Sequence, residues 1–277
     1  MHNNGCGTLY IVATPIGNLG DISARAAKTL EEVDFIAAED TRVTGILLLN
    51  LGIKTPLVIY FEHNRKQSGE RIIDRILAGE SCALVTDAGT PAISDPGEDL
   101  VKLCAQACIS VITIPGPCAA IAALSVSGLT TGRFTFEGFL STSRKSRFEH
   151  LNQIKHEKRT MVFYEAPHKL LKTLIDMHEV LGDRQLTISR ELTKIYEETL
   201  RTTFSEAIKH FSTRPPKGEF VLVIEGCSIL EKPTIEDAAA LASSYIKDGL
   251  SLKDAAKKAA EETGVAKNAI YNIVIKT

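Results

Sequence analysis

The chain has 277 residues, a length that fits two domains with a small appendage. Of these residues 44% are hydrophobic and 24% charged, which is ordinary for a globular protein. Its formal net charge of −2 at pH 7 argues against a protein that coats nucleic acid nonspecifically. Because no apolar run approaches the ~20 residues of a membrane helix, and the amino terminus lacks the basic and apolar segments of a signal peptide, we expect a cytoplasmic protein without a membrane span.

The first part of the chain alternates predicted strands with predicted helices, which is typical of a mostly parallel α/β sheet. The predicted strands are residues 9–13, 35–38, 57–61, 82–85 and 111–114. Polar clusters follow several of them, at residues 39–42 and 62–64 among others. Open α/β sheets bind ligands at the carboxyl ends of their strands, so these clusters are either the rim of a site or solvated corners.

The longest polar segment, residues 86–97, follows the fourth predicted strand and carries Asp87 and Asp95. Gly89 and Gly97 let the backbone turn tightly or approach a ligand, and two prolines stiffen the segment. A simple Gly/Pro turn is the alternative, but βα loops usually span about two to six residues. The greater length therefore favours a ligand-binding loop.

Two further turns narrow the choice of ligand. Residues 14–21 lack both the glycine spacing of a dinucleotide fingerprint and the Gly-Lys-Ser/Thr of a phosphate loop, which argues against a nucleotide triphosphate. Residues 115–117 are Pro-Gly-Pro and force a turn. The small residues after them either let a ligand lie against the backbone or pack a helix tightly on the sheet.

The second half predicts another α/β domain, which faces the first across a cleft, a usual place for small-molecule sites. Its predicted strands are residues 160–164, 186–189 and 220–224. Beyond residue 232 an Ala- and Lys-rich segment predicts three short helices, at residues 238–246, 252–262 and 267–275. The predicted fold is therefore α/β, with two α/β domains at residues 1–116 and 117–232 and a small helical domain at residues 233–277.

Residues 144–159 are the densest positive stretch of a chain that is acidic overall. Its cations are Arg144, Lys145, Arg147, Lys155, Lys158 and Arg159. Such a run is usually a solvated helix face, but a polyanion would contact the protein here most readily.

The six cysteines predict neither a disulfide framework nor a metal site. None of them forms a Cys-x-x-Cys pair, and most lie in apolar segments, as reduced buried thiols do. Cys104 and Cys108 would share a helix face, but no histidine lies near them in sequence. We therefore expect no zinc.

An ordered series of motifs resembles one known family over nearly the whole chain. The motifs are VATPIGNLGDI (12–22), AEDTR (38–42), VTDAGTP (85–91), SDPG (94–97), PGP (115–117), EGFL (137–140), YEAPH (164–168) and RELTK (190–194). Together they resemble the 16S ribosomal RNA 2′-O-ribose methyltransferases, a branch of the tetrapyrrole-methylase superfamily.

The resemblance implies a homodimeric enzyme that binds S-adenosylmethionine in the cleft between two α/β domains. Its substrate would be the ribose of a cytidine in the decoding region of the small ribosomal subunit. The implied cofactor-binding residues are Pro15, Asp87, Gly89, Thr90, Pro91 and Ile93 on one side, and Cys118, Ala119, Tyr164, Glu165 and Ala166 on the other. The implied RNA-binding residues are Arg144, Lys145 and Arg147.

Two positions depart from the family pattern. Cys118 stands where Ser is common, and Ser141 stands where Pro is common. The first change could remove a hydrogen bond to the cofactor, and the second could loosen the basic segment.

Methyl transfer from a sulfonium is an in-line displacement, so placing the ribose oxygen about 3 Å from the methyl carbon supplies much of the rate. A ribose hydroxyl is a weak nucleophile, so a base, or a cation that stabilises the alkoxide, should help. Candidates at strand ends are Asn18, Asp40, Arg42, His63, Glu165, Glu191 and Lys194. We predict that Asp40 is the base and that Arg42 holds phosphate, with Lys194 as a further catalytic candidate.

Two other functions remain open. A tetrapyrrole C-methyltransferase of the same fold would use basic residues to hold substrate carboxylates, although the motifs at residues 39–42 and 190–194 and the helical tail speak against it. A ribosome-binding factor without catalysis would bind the cofactor and transfer no methyl group.

Overall fold

The computed structural model describes residues 5–61, 65–94, 96–227 and 234–275. The chain divides into two compact units, Met1–Gly226 and Cys227–Thr277. His63, one of the candidate bases, and Asp95 of the long loop lie outside the described residues. Both sheets belong to the first unit, and the division of that unit at residue 116 stays a prediction.

The first sheet contains five parallel strands in the order β3-β2-β4-β1-β5, as the alternation of elements predicted. The strands are β1 (Thr8–Val12), β2 (Phe35–Ala38), β3 (Leu57–Ile59), β4 (Cys82–Val85) and β5 (Ser110–Ile114). The helices between them are α1 (Ala24–Glu32), α2 (Thr41–Leu51), α3 (Arg65–Leu77) and α4 (Glu98–Gln106), and a short 3₁₀ helix spans Leu19–Asp21.

Helices cover both faces of this sheet, which explains why β2 and β4 are continuous apolar runs with every residue buried. Successive side chains of a strand point to opposite faces. Phe35 and Leu84 therefore pack in one core with α3 and α4, while Ile36 and Val85 pack in another with α1 and α2.

The second sheet is mixed, in the order β6-β7-β10-β8-β9. Its strands are β6 (Phe134–Phe139), β7 (Thr160–Glu165), β8 (Gln185–Arg190), β9 (Glu198–Thr203) and β10 (Phe220–Ile224). Its helices are α5 (Ala119–Val126), α6 (Arg144–Gln153), α7 (Pro167–Leu181) and α8 (Phe204–Thr213). β6 and β7 are parallel, and the other neighbouring pairs are antiparallel.

The antiparallel direction of β10 decides which residues meet at one edge of this sheet. Phe220, the first residue of β10, pairs with Glu165 at the end of β7 and with Arg190 at the end of β8. The carboxyl ends of β7 and β8 therefore lie beside the amino end of β10.

Within its described residues, the second unit contains three helices, as predicted: α9 (Ile235–Lys247), α10 (Leu252–Thr263) and α11 (Lys267–Val274). A reciprocal capping box between Thr234 and Asp237 begins α9, and Gly264 in the left-handed conformation ends α10. Their shared core consists mainly of alanines, with Ile270. Among the described residues, no helix is both long and apolar enough to cross a membrane.

Candidate active site

A cavity of about 610 Å³ lies in the first unit, where strand ends of both sheets meet. Of the predicted cofactor-binding residues, those that line it are Asp87, Gly89, Thr90, Ile93, Cys118, Ala119, Tyr164, Glu165 and Ala166. Pro15 and Pro91 are not among the lining residues. A volume of several hundred Å³ is typical of a small-molecule site.

The loop after β4 forms one wall of the cavity, and the backbone holds it in place. Thr14 and Gly89 exchange two hydrogen bonds, from Thr14 N to Gly89 O at 2.9 Å and from Gly89 N to Thr14 O at 3.1 Å. Gly89 has a φ of 89°, and Ala92 and Ser94 adopt positive φ values of 66° and 60° without being glycine. Such strained residues persist where the surroundings fix the backbone, as at ligand sites.

This wall is acidic. Glu39 and Asp87 both line the cavity, and Glu39 Oε2 accepts a hydrogen bond from Thr86 Oγ1 at 2.8 Å. Burial, and next the charge of Glu39, raise the pKa of Asp87 above its ordinary value. Two carboxylates that repel each other on one wall of a cavity favour a cationic ligand.

Asp40 does not have the environment of a general base. Its carboxylate caps α2 by accepting the Arg42 N–H at 2.8 Å, and it accepts Nε and Nη2 of the Arg42 guanidinium at 3.0 and 2.6 Å. The Arg42 side chain, followed by its backbone N–H, lowers the pKa of Asp40 to about 2. A carboxylate this acidic is a weak proton acceptor at neutral pH, which argues against Asp40 as the base, and that assignment stays a prediction. Asp40 orients Arg42, whose side chain is 88% exposed.

The opposite wall comes from the second sheet and the start of α5. The Ala120 N–H donates to Tyr164 Oη at 3.1 Å, which joins α5 to the end of β7. Glu165 is buried, and its two oxygens accept hydrogen bonds from Ala166 N at 2.8 Å and from Thr173 Oγ1 at 2.5 Å. Phe139 lies beside Tyr164 with a ring-centroid distance of 5.4 Å.

Cys118 lies at the N-cap of α5 and makes no side-chain hydrogen bond to the first helical turn. Ser is a good N-cap residue, whereas a thiol is a weak hydrogen-bonding group. The departure at this position therefore leaves the first amides of α5 without the capping oxygen that Ser would supply.

The loop between β8 and β9 carries Lys194, which is not among the lining residues but bonds to Glu219, which is. Lys194 Nζ donates to Glu191 Oε1 and to Glu219 Oε2, both at 2.9 Å. Burial opposes the charge of Lys194, but hydrogen bonds to Glu219 and Glu191 outweigh it and raise its pKa. The Glu219 N–H and Lys194 lower the pKa of Glu191, so both side chains are charged at neutral pH and neither is suited to accept a proton. A Cβ at Gly17 would overlap Lys194 Cγ, which shows how closely the turn after β1 approaches this loop.

Comparison with known proteins decides the family. A family model described as Tetrapyrrole (Corrin/Porphyrin) Methylases matches residues 8–208. The chain belongs to the tetrapyrrole methylase family. The methyltransferase class and the S-adenosylmethionine cofactor that the motifs implied are thereby confirmed.

Curated relatives of this methylase cover almost its entire length. A protein of Synechocystis sp. is 48% identical over 98% of both chains, and one of Escherichia coli O157:H7 is 45% identical over 99% of this chain and 96% of its own. Both carry the name "Ribosomal RNA small subunit methyltransferase I".

Solved structures share the fold of the methylase at low sequence identity. A cobalt precorrin-4 methyltransferase matches with a TM-score of 0.59 and 20% identity, over 79% of this chain and 94% of its own. A uroporphyrin-III C-methyltransferase of Thermus thermophilus, in complex with S-adenosylhomocysteine, matches with a TM-score of 0.57 and 15% identity, over 78% of this chain and 97% of its own. The fold class predicted from sequence is confirmed.

Part of the predicted RNA-binding segment of the methylase is buried. Arg147 is only 4% exposed, and its Nε donates to Asp176 Oδ2 at 2.7 Å. The prediction that Arg147 contacts RNA is therefore corrected. Arg144 and Lys145, at the start of α6, are exposed. Arg147 also holds the β6–α6 loop at Ser141, because Arg147 Nη1 donates to the backbone oxygen of Ser141 at 2.8 Å.

Several lining residues of the methylase cavity were not predicted from sequence. They are Ile16, Glu39, Thr86, Ala88, Ser94, Phe139, Pro167, His168, Ser189, Leu192, Glu219, Phe220 and Val221. Most of these residues lie in or beside the motifs at strand ends that the sequence analysis named, so the motifs could have identified them. Glu219, Phe220 and Val221 lie at the amino end of β10, and only the antiparallel pairing of that strand brings them to the site.

No group of three or more His, Cys, Asp or Glu side chains within the described part of the chain is arranged to hold a metal ion.

Proposed function

We propose that this methylase transfers a methyl group from S-adenosylmethionine to the 2′-hydroxyl of a cytidine ribose in the decoding region of 16S ribosomal RNA. The observation that carries the proposal is a cavity of cofactor size with an acidic wall. Two cations are linked to lining residues: Lys194 bonds to Glu219, and Arg42 bonds to Asp40, whose N–H donates to Asp87. The names of relatives that are 45–48% identical over nearly the full length support a small-subunit RNA substrate.

The lining residues fit the cofactor. S-adenosylmethionine carries a sulfonium and an ammonium group, and Glu39 and Asp87 supply the opposite charge. Its adenine is flat and uncharged, which suits the apolar side chains of Leu192 and Val221, which pack in one cluster and line the cavity. When bound, the cofactor supplies an electrophilic methyl group.

The residues of the chain contribute mainly position and charge. Fixing the ribose oxygen in line with the methyl group accounts for much of the rate in such a displacement. Arg42, oriented by Asp40, is placed to hold a phosphate of the RNA, because a guanidinium binds phosphate with two parallel hydrogen bonds. Lys194, which stays charged between Glu191 and Glu219, is placed to stabilise the negative charge that develops on the ribose oxygen.

Two exposed cations extend the proposed RNA surface. β6 is parallel to β7, so the carboxyl end of β6 lies at the same edge as the cavity residues Tyr164 and Glu165. Arg144 and Lys145 follow this end after a short loop. A homodimer and a cytoplasmic location complete the proposal, since an enzyme of ribosomal RNA works where ribosomes are assembled.

Labelled S-adenosylmethionine tests the proposal directly. Unmodified small subunits, protein-free 16S RNA and uroporphyrinogen III would each be incubated with the enzyme, and nuclease digestion with mass spectrometry would identify any modified nucleotide. We expect 2′-O-methylcytidine from the decoding region, with a large loss of rate for Lys194→Met. Lys28→Met is the matched control, because Lys28 is also paired with a glutamate but lies exposed on α1.

Other outcomes would replace the proposal with a named alternative. Label on the macrocycle and none on RNA would identify a tetrapyrrole C-methyltransferase. Cofactor binding without transfer to any of the three substrates would identify a noncatalytic ribosome-binding factor.

A further inference from the structure

The floor of the cavity is one row of side chains that crosses the second sheet. The strand registers pair Phe139 with Tyr164, Tyr164 with Val221, and Val221 with Ser189. Paired residues of neighbouring strands point to the same face of a sheet. All four side chains line the cavity, so an aromatic pair occupies one end of the row and a hydroxyl group the other.

The Ser189 hydroxyl has no partner in the described part of the chain. Its side chain is 0% exposed, and Oγ makes no hydrogen bond to any described residue. A buried hydroxyl without a hydrogen bond destabilises the folded protein. An alanine would fill the same place without this cost, so packing does not explain a serine here.

The same face of β8 contains a hydroxyl that is satisfied within the protein. Thr187 lies two residues before Ser189 and is equally buried, but its Oγ1 donates to Ser127 O at 2.8 Å. The two hydroxyl groups therefore differ in hydrogen bonding and in position. Thr187, which has a partner, is not among the lining residues of the cavity, whereas Ser189, which has none among the described residues, is.

The neighbours of Ser189 indicate which part of the cofactor it would meet. Val221 pairs with it, and Leu192, which packs in the same apolar cluster as Val221, also lines the cavity. The carboxylates Glu39 and Asp87 follow strands of the first sheet instead. The charged groups of S-adenosylmethionine are all in its methionine and sulfonium part, so the uncharged adenosine suits the apolar floor.

We propose that Ser189 is a cofactor-binding residue whose hydroxyl hydrogen-bonds to the adenosine moiety of S-adenosylmethionine. Ser189 lines the cavity, and its Oγ has no partner among the described residues that would compete for such a bond. The inference rests on the cofactor cavity of the proposed function, but it does not depend on which substrate receives the methyl group.

The test is the affinity for S-adenosylhomocysteine, measured by isothermal titration calorimetry without RNA, together with urea unfolding of the ligand-free protein. For Ser189→Ala we expect the Kd to rise about 3- to 10-fold, the loss of one hydrogen bond. The unfolding midpoint of the ligand-free variant should stay the same or rise, because the substitution removes an unpartnered polar group.

Thr187→Val is the matched control on the same strand. It should lower the unfolding midpoint, because it leaves Ser127 O without its donor, and it should leave the Kd within about twofold of the wild type. Ser189→Ala with an unchanged Kd, or with a loss of stability like that of Thr187→Val, would overturn the inference.

A third variant separates this inference from the location of the cavity. Ala119→Phe places a large side chain in the cavity and should abolish S-adenosylhomocysteine binding. If Ala119→Phe abolishes binding while Ser189→Ala binds normally, the cavity stands and the Ser189 assignment fails. If Ala119→Phe binds normally, the cofactor lies elsewhere and both assignments fail.

Discussion

Replacing Arg147 with methionine should destabilise the protein far more than the same replacement of Arg144, three residues earlier on α6. Arg147 and Asp176 are 4% and 5% exposed, and Arg147 Nη2 and Asp176 Oδ2 are 2.5 Å apart. The guanidinium also donates from Nη1 to the backbone oxygens of Ser141 and Thr142, at 2.8 and 3.2 Å. Its loss would leave the Asp176 carboxylate in the core without its cation.

The magnitude follows from burial. Removing one partner of a buried ion pair costs about 3–5 kcal/mol of the free energy of unfolding. Arg144 and Glu179 join the same two helices, but their side chains are 66% and 57% exposed and 3.6 Å apart. An exposed pair contributes about 0–1 kcal/mol, so Arg144→Met is the matched control.

Urea unfolding followed by far-ultraviolet circular dichroism measures the difference, since the chain has no tryptophan for fluorescence. The double variant Arg147→Met with Asp176→Leu should recover most of the lost stability, because apolar residues of similar volume replace a buried pair at little cost. The reasoning is refuted if Arg147→Met costs no more than Arg144→Met, or if the double variant is as unstable as the single one.

Four further predictions concern the site and the proposed RNA surface. Asp40→Asn keeps the cap of α2, because Asn caps as well as Asp. The single-turnover rate should fall less than about tenfold. A fall of a hundredfold or more would show that Asp40 is the base. Asp87→Asn should raise the free energy of unfolding at pH 7. A carboxylate whose pKa is raised on folding is most stabilising when protonated and loses that contribution as pH rises through the folded pKa. The gain from the substitution should therefore disappear below the ordinary pKa of 3.8, and an equal gain at pH 7 and below pH 3.8 would contradict the prediction. S-adenosylmethionine affinity of the wild type should fall on acidification through the same raised pKa, and this dependence should be weaker in Asp87→Asn, as calorimetry across a pH series would show. Replacing Arg144 and Lys145 together by alanine should weaken RNA binding and reduce the slope of log K against log salt by about 1 to 2, and an unchanged slope would remove α6 from the RNA surface.

The sequence by itself determined the elements whose pattern is local. β2 and β4 are buried on every residue, so they are visible as unbroken apolar runs, and the long Gly/Pro-rich segment after β4 marks the ligand edge. The three helices of the second unit were predicted from an Ala- and Lys-rich segment, and side-chain caps at Thr234 and Ser251 begin two of them. β9 was missed, because its residues Glu198–Thr203 form an edge strand with a single apolar side chain and take their conformation from pairing with β8.

Only the tertiary structure decided what the site residues do. Arg147 belongs to a basic run in sequence but is buried against Asp176 on another helix. The antiparallel direction of β10 brought Glu219 to Lys194, and the alignment of Val221 with Ser189 placed a hydroxyl in the cavity floor. Burial, pKa and hydrogen-bond partnership depend on atoms that are distant along the chain, and the local pattern of residues carries no record of those distances.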